Sequence, residues 1–80
     1  MIIQEIKFDK GFIFRKQRLV ILSDKNKLTL EDSLFNNELA EKLNFQLKGF
    51  QIKNIDELKN FSEKINWLDE NLRKKIELAI

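Results

Sequence analysis

Hydrophobic and polar residues alternate over residues 2–8, where Glu5 and Lys7 fall on the polar side of an extended segment. The apolar positions of this segment are Ile2, Ile6 and Phe8. A two-residue period is typical of a half-buried β-strand. Residues 9–11 then form a turn signal that contains Gly11, and residues 12–14 restart the apolar pattern. We therefore predict an N-terminal β-hairpin.

A second β region follows a basic stretch. Residues 19–22 are apolar at every position, which indicates a short strand covered on both faces. One long return strand with a bulge near residue 16 and two strands that meet at a turn there both fit this pattern. Residues 23–27 form a turn, and residues 28–30 predict a further short strand.

The hydrophobic period becomes helical after residue 30. The repeating positions, four residues apart, are Phe35, Leu39, Leu43 and Leu47. This spacing predicts a helix whose start is capped by Thr29 or Ser33 and whose end is capped by Gly49. Residues 50–52 then predict one short strand. A tight hairpin over residues 45–52 is the alternative, and we favour the helix because its apolar stripe is unbroken.

The last segment carries the clearest periodicity in the chain. Its apolar positions, spaced by three and four residues, are Leu58, Phe61, Ile65, Leu68 and Leu72. We predict one long helix that begins at Asn54 or Asp56, with a length of about 36 Å if it runs unbroken from residue 56 to residue 79. A break after Asn66, where helix propensity is lower, is the alternative that the pattern leaves open. An unbroken helix would overhang a domain with a radius of gyration of about 12 Å, so we expect its projecting stripe to pair with a second copy in a homodimer.

The predicted architecture is a single α+β domain over residues 1–80. It has a small antiparallel sheet packed by two helices, of which the C-terminal one is long. Residues 1–30 are mainly β and residues 31–80 mainly helical. Residues 1–27 carry seven basic and three acidic side chains, whereas residues 28–80 carry eight basic and ten acidic ones. The β part is therefore basic and the helical part mildly acidic.

Composition argues against catalysis. The chain contains no His, Cys or Tyr, which supply most nucleophiles, proton-transfer groups and zinc ligands, so we expect neither an enzyme nor a bound cofactor or metal. Richness in Lys, Asn, Ile and Phe suggests an AT-rich genome, that of a low-GC bacterium or its phage. No stretch resembles a signal peptide or a membrane span, which predicts a cytoplasmic protein.

A basic cluster is the first candidate for a binding site. Arg15, Lys16 and Arg18 lie near the predicted hairpin and suit a nucleic acid or an acidic partner, although basic side chains also protect edge strands from aggregation. A second nucleic-acid candidate is residues 37–45, which resemble the first helix and turn of a helix-turn-helix unit, with Asn44 at the turn and Phe45 in the pocket behind it.

Apolar side chains of the last helix are the candidates for a protein interface. Trp67, Phe61 and Ile76 are the predicted partner-binding residues, because tryptophan is enriched in interface hot spots and a free apolar C-terminus tends to dock. Three adjacent acid pairs occur at residues 31–32, 56–57 and 69–70. The first two lie at predicted helix starts, where the helix dipole explains them, and adjacent carboxylates on a helix point in different directions and do not form an acid–base site by themselves. We predict a small non-enzymatic regulator or inhibitor that binds another protein, with a nucleic-acid-binding regulator as the alternative.

Overall fold

The computed structural model describes residues 1–11 and 17–80. Within these residues a three-stranded antiparallel sheet packs with three helices, which confirms the predicted α+β class. The elements are β1 (Ile3–Asp9), β2 (Arg18–Ser23), β3 (Lys27–Glu31), α1 (Asn37–Leu47), α2 (Ile55–Lys64) and α3 (Glu70–Ala79). In the part of the chain that is described, none of the helices has the length and apolar character needed to cross a membrane.

The sheet has the order β1-β2-β3, and its strands supply four of the thirteen buried residues of the hydrophobic core. Two cross-strand rows line its inner face: Ile6, Ile21 and Leu28 in one, and Phe8, Leu19 and Leu30 in the next. Val20 points to the opposite face, between Lys7 and Thr29, and is still only 3% exposed. The prediction that residues 19–22 are covered on both faces is therefore confirmed at Leu19, Val20 and Ile21. The predicted return strand at residues 12–14 lies outside the described residues, and the observed partner of β1 is β2.

The predicted short strand after the first helix is present as a single β-bridge between Ile2 and Gln51. It lies along the outer edge of β1, where the Ile3 backbone N–H donates to the Phe50 carbonyl over 3.0 Å. The Gly49 N–H donates to the Ile3 carbonyl over 2.7 Å. These bonds fix the end of α1 to the start of the chain.

The first helix begins later than its apolar stripe suggested. Its N-cap is Asn36, whose side-chain oxygen accepts a hydrogen bond from the Leu39 N–H over 2.8 Å, so the predicted caps Thr29 and Ser33 are wrong. Thr29 belongs to β3, because the sheet takes up the chain as far as residue 31. The predicted end is confirmed: Gly49 follows the helix with φ of 83°, and the alternative hairpin over residues 45–52 is wrong.

The predicted continuous helix over residues 56–79 is also wrong. Asn54 caps α2, which ends at Lys64, and α3 begins only at Glu70. Asp69 separates them, because its side chain accepts hydrogen bonds from the Asn71 and Leu72 N–H groups and so starts a new helix. The apolar residues of the predicted stripe still face the core across the break, since Ile65 and Leu68 in the connection are both buried. The two short helices fit within overall dimensions of 39 × 25 × 20 Å.

Candidate partner-binding surface

Trp67 lies in the connection between α2 and α3 and is held there by α1. Its indole Nε1–H donates to Oε1 of Gln46 over 2.6 Å and to the Lys64 carbonyl over 3.0 Å. The ammonium of Lys42 lies 4.0 Å from the centroid of the indole ring, a distance at which a cation is attracted to the ring face. These contacts fix the orientation of a tryptophan that remains partly exposed.

A shallow open cleft lies beside this ring. Its lining residues are Asn36, Glu38, Leu39, Lys42 and Trp67, and its volume is about 230 Å³. Pockets that enclose a small molecule usually have volumes of roughly 300–1,000 Å³ and surround most of the ligand. The cleft therefore suits one or two side chains of a macromolecule better than an enclosed ligand.

Phe45 is the most exposed large apolar side chain of α1. It lies on α1 three residues after Lys42, which places the two side chains on the same face of the helix. Its side chain is 89% exposed, although the burial of a phenylalanine would stabilise the protein by about 1.5–3 kcal/mol. We call the face formed by Leu39, Lys42, Phe45, Gln46 and Trp67 the α1–Trp67 surface.

The sequence pattern contains a signal for Phe45 that the helix-turn-helix interpretation does not use. Phe45 lies two residues from both Leu43 and Leu47, so a helical projection places it off the buried stripe. The helix-turn-helix interpretation instead puts Phe45 in an interior pocket. That interpretation is wrong for the geometry, because α1 continues through Asn44 to residue 47. The Asn44 side chain accepts a hydrogen bond from the Ile6 N–H over 2.8 Å.

The other two predicted partner-binding residues lie in the core. Phe61 of α2 is 0% exposed and Ile76 of α3 is 1% exposed, so neither contributes to the α1–Trp67 surface. Phe61 packs against Phe50 with 6.0 Å between the ring centroids. The homodimer through the C-terminal helix was predicted because one long helix would project from the domain. Residues 55–79 instead form two short helices, and the apolar stripe from Phe61 to Leu72 is buried within the domain.

Only part of the predicted basic cluster can be located. Arg15 and Lys16 lie outside the described residues. Arg18 lies on the outer face of the sheet, where its guanidinium Nη2 is 3.1 Å from the Asp9 carboxylate. Three basic and three acidic side chains of the described strands share this face, so their charges cancel: Glu5, Lys7, Asp9, Arg18, Lys27 and Glu31. The described face therefore does not form the basic track that a phosphate backbone requires.

The acidic pairs have structural roles in the described residues. Asp56 and Glu57 lie in the first turn of α2, and Asp69 caps α3. In residues 1–11 and 17–80, no group of three or more carboxylates gathers to hold a metal ion. The pKa of the Asp24 carboxyl is lowered because its Oδ1 accepts a hydrogen bond of 2.7 Å from the Ile2 N–H.

Comparison of the chain with protein-family models, with curated proteins and with solved structures finds no match. The α1–Trp67 surface combines a largely exposed phenylalanine, an oriented tryptophan and the cation of Lys42. Such a combination is suited to contact with another macromolecule, because aromatic anchors supply much of the binding free energy in protein interfaces.

Proposed function

We propose that this protein is a small non-enzymatic regulator or inhibitor that acts by occupying a surface of a partner protein with its α1–Trp67 surface. The observation that carries the proposal is the exposure of Phe45 on α1, the same helix whose Gln46 and Lys42 hold the ring of Trp67. Antitoxins, immunity proteins and phage proteins that block a host enzyme act in this way. A cytoplasmic location and an origin in a low-GC bacterium or its phage belong to the same proposal and rest on composition.

The arrangement of Trp67 reduces the cost of binding. Its Nε1–H already donates to Gln46 and to the Lys64 carbonyl, so a partner can cover the ring without leaving an unsatisfied donor. The ring is also held in one orientation by Lys42, so little side-chain entropy is lost when it is buried. Phe45, by contrast, gains most from burial because water now covers nearly all of it.

A partner for this surface needs an apolar patch or pocket that accepts the Phe45 ring. It also needs an acceptor or a carboxylate within reach of Lys42, whose ammonium lies over the Trp67 ring. The cleft beside Trp67 offers Glu38 and Asn36 as further polar contacts. The expected interface has an aromatic centre and a polar rim, which is the usual organisation of protein–protein contacts.

The experiment is affinity capture from lysate of the native host with three tagged proteins: the wild type, Phe45→Ala and Leu78→Ala. Leu78 is the matched control, because it is also 89% exposed but lies on α3. The proposal predicts one protein that is captured by the wild type and by Leu78→Ala and is lost with Phe45→Ala. Each capture is repeated after nuclease treatment.

The nuclease treatment separates the proposal from the nucleic-acid alternative. A protein partner remains bound after digestion and dissociates little as salt rises, since the predicted contact is mainly apolar. Capture that disappears with nuclease and falls steeply with salt would overturn the proposal, because phosphate contacts release counterions. Equal capture by all three proteins would also overturn it, since Phe45 would then be outside the interface.

A further inference from the structure

The outer edge of β3 is a surface of the sheet that involves neither α1 nor Trp67. Two backbone hydrogen bonds at the ends of the β2–β3 pair show which residues direct their backbone groups toward the neighbouring strand. The Ser23 N–H donates to the Asn26 carbonyl, and the Asp32 N–H donates to the Gln17 carbonyl. In an antiparallel pair, every second residue directs its N–H and C=O toward the neighbouring strand. Leu28 and Leu30 therefore face β2 with their backbone groups. The backbone groups that point outward belong to Lys27, Thr29 and Glu31.

The two edges of the sheet differ in how they are covered. On the β1 edge, the Ile3 N–H and C=O bond to residues 49–50, and the Ile6 N–H donates to the Asn44 side chain. On the β3 edge, one outward group is occupied: the Glu31 carbonyl accepts a hydrogen bond of 2.8 Å from Nζ of Lys75. Within the described part of the chain, the outward N–H and C=O groups of Lys27 and Thr29 have no protein partner. Unpaired edge groups of this kind are a template for another strand.

We propose that the β3 edge pairs with β3 of a second copy of this chain, antiparallel and about a twofold axis through Thr29. In this register Lys27 lies opposite Glu31 of the partner subunit, and Glu31 lies opposite Lys27 of the partner subunit. Both side chains are exposed on the outer face of the sheet. The five-residue strand is therefore complementary in charge to its own reversed copy. Opposite charges in cross-strand pairs stabilise a sheet, and like charges destabilise it.

The same register gives hydrogen-bond partners to the outward backbone groups of β3. Lys27, Thr29 and Glu31 are alternate residues, and all three would form hydrogen-bonded pairs with the second copy. Lys75 would release the Glu31 carbonyl, and it would keep its bond of 2.9 Å to the Asp32 carboxylate. Leu28 and Leu30, which are half-buried at the inner rim of the sheet, would lose further contact with water. A contact formed by five residues is small, so the dimer is weak and depends strongly on concentration.

A single cysteine tests the axis directly, because the chain contains no native cysteine. In a hydrogen-bonded pair the two Thr29 Cα atoms would lie about 5.5 Å apart, within the range of about 4.4–6.8 Å that a disulfide spans. The Thr29→Cys variant should therefore form a covalent dimer on mild oxidation. Lys27→Cys is the matched control, since two such sites would lie about 14 Å apart in the same dimer. Equal crosslinking of both variants, or of neither, would overturn the register.

Charge reversal tests the same contact without a crosslink. Lys27→Glu and Glu31→Lys should each weaken association about fivefold or more, measured by analytical ultracentrifugation at protein concentrations up to about 1 mM. A mixture of the two variants should form a heterodimer, because position 27 of each protein would then lie opposite a residue of opposite charge at position 31 of the other.

The control for charge alone is Lys25→Glu, which makes the same change in the β2–β3 turn and should leave association unchanged. Circular dichroism of each variant confirms that it is folded. A wild-type chain that sediments as a monomer at all concentrations would overturn the proposal, as would a mixture of variants that associates no better than either variant alone.

Discussion

Replacement by alanine should lower the stability of the protein strongly at one phenylalanine, Phe61, and hardly at all at another, Phe45. Phe61 is completely buried and packs against Phe50, whereas Phe45 is 89% exposed. Replacement of a buried phenylalanine by alanine removes transfer free energy and leaves a cavity, at a cost of about 3–5 kcal/mol. Replacement at an exposed position usually changes stability by no more than about 0.5 kcal/mol.

The loss of stability expected at Phe61 is large relative to the free energy of unfolding of the whole domain. Eighty residues at about 0.05–0.15 kcal/mol per residue give a free energy of unfolding of roughly 4–12 kcal/mol. Phe61→Ala should therefore remove between about a quarter and all of it. Phe61→Leu keeps most of the volume and should cost about 1.5 kcal/mol or less, so this variant stays folded if the alanine variant does not.

Urea unfolding provides the measurement, with circular dichroism for the helices and the fluorescence of the single tryptophan, Trp67, for the contact between α1 and the α2–α3 connection. The expected order of stability is wild type and Phe45→Ala together, then Phe61→Leu, then Phe61→Ala. A midpoint for Phe61→Ala equal to that of the wild type would refute the packing of α2. A loss above about 1 kcal/mol with Phe45→Ala would refute its exposure in solution.

Three further outcomes test separate features. Asp69→Ala should lower the free energy of unfolding by about 1 kcal/mol in urea titrations, because α3 loses its N-cap, and an unchanged value would favour the continuous helix. Gly49→Ala should cost about 1–2 kcal/mol in the same assay, because φ is 83° there; the surrounding space is open, so a larger loss would point to a steric contact. The hydrogen bond from Ile2 holds the pKa of Asp24 below its usual value, so its stabilising effect is present above about pH 4 and is lost as pH falls through the folded pKa. Asp24→Asn should flatten the fall in thermal midpoint between about pH 5 and pH 2, and an unchanged pH profile would contradict the role of this carboxylate.

Several elements could be predicted because their signals are local. Alternation over residues 2–8 indicated β1, and the four-residue spacing after Phe35 indicated α1, because each period follows from the geometry of its own backbone. The end of α1 could also be predicted, because a glycine after a helical stripe favours the left-handed conformation found at Gly49. Asn54 was one of two predicted starts for α2, and its side chain does cap the helix.

Less of the candidate site could be predicted from the sequence. Trp67 was recognised as an interface candidate, but its hydrogen bond to Gln46 joins residues 21 positions apart. The helical period separates Phe61, which lies on an apolar stripe, from Phe45, which lies off one, but the helix-turn-helix interpretation placed Phe45 in an interior pocket. The apolar stripe through Ile65 and Leu68 fits a continuous helix and a broken one equally well. The spacing therefore could not reveal the break.

The sequence by itself determined the order and type of most elements, because capping, turn chemistry and hydrophobic period act between residues close together in the chain. The tertiary structure alone decided three matters: the pairing of β1 with β2, the contact of Trp67 with Gln46, and the open edge of β3. Each depends on which distant segments come into contact. A side chain is buried, or a backbone group bonded, only when another part of the chain covers it, and a periodic pattern carries no information on which part that is.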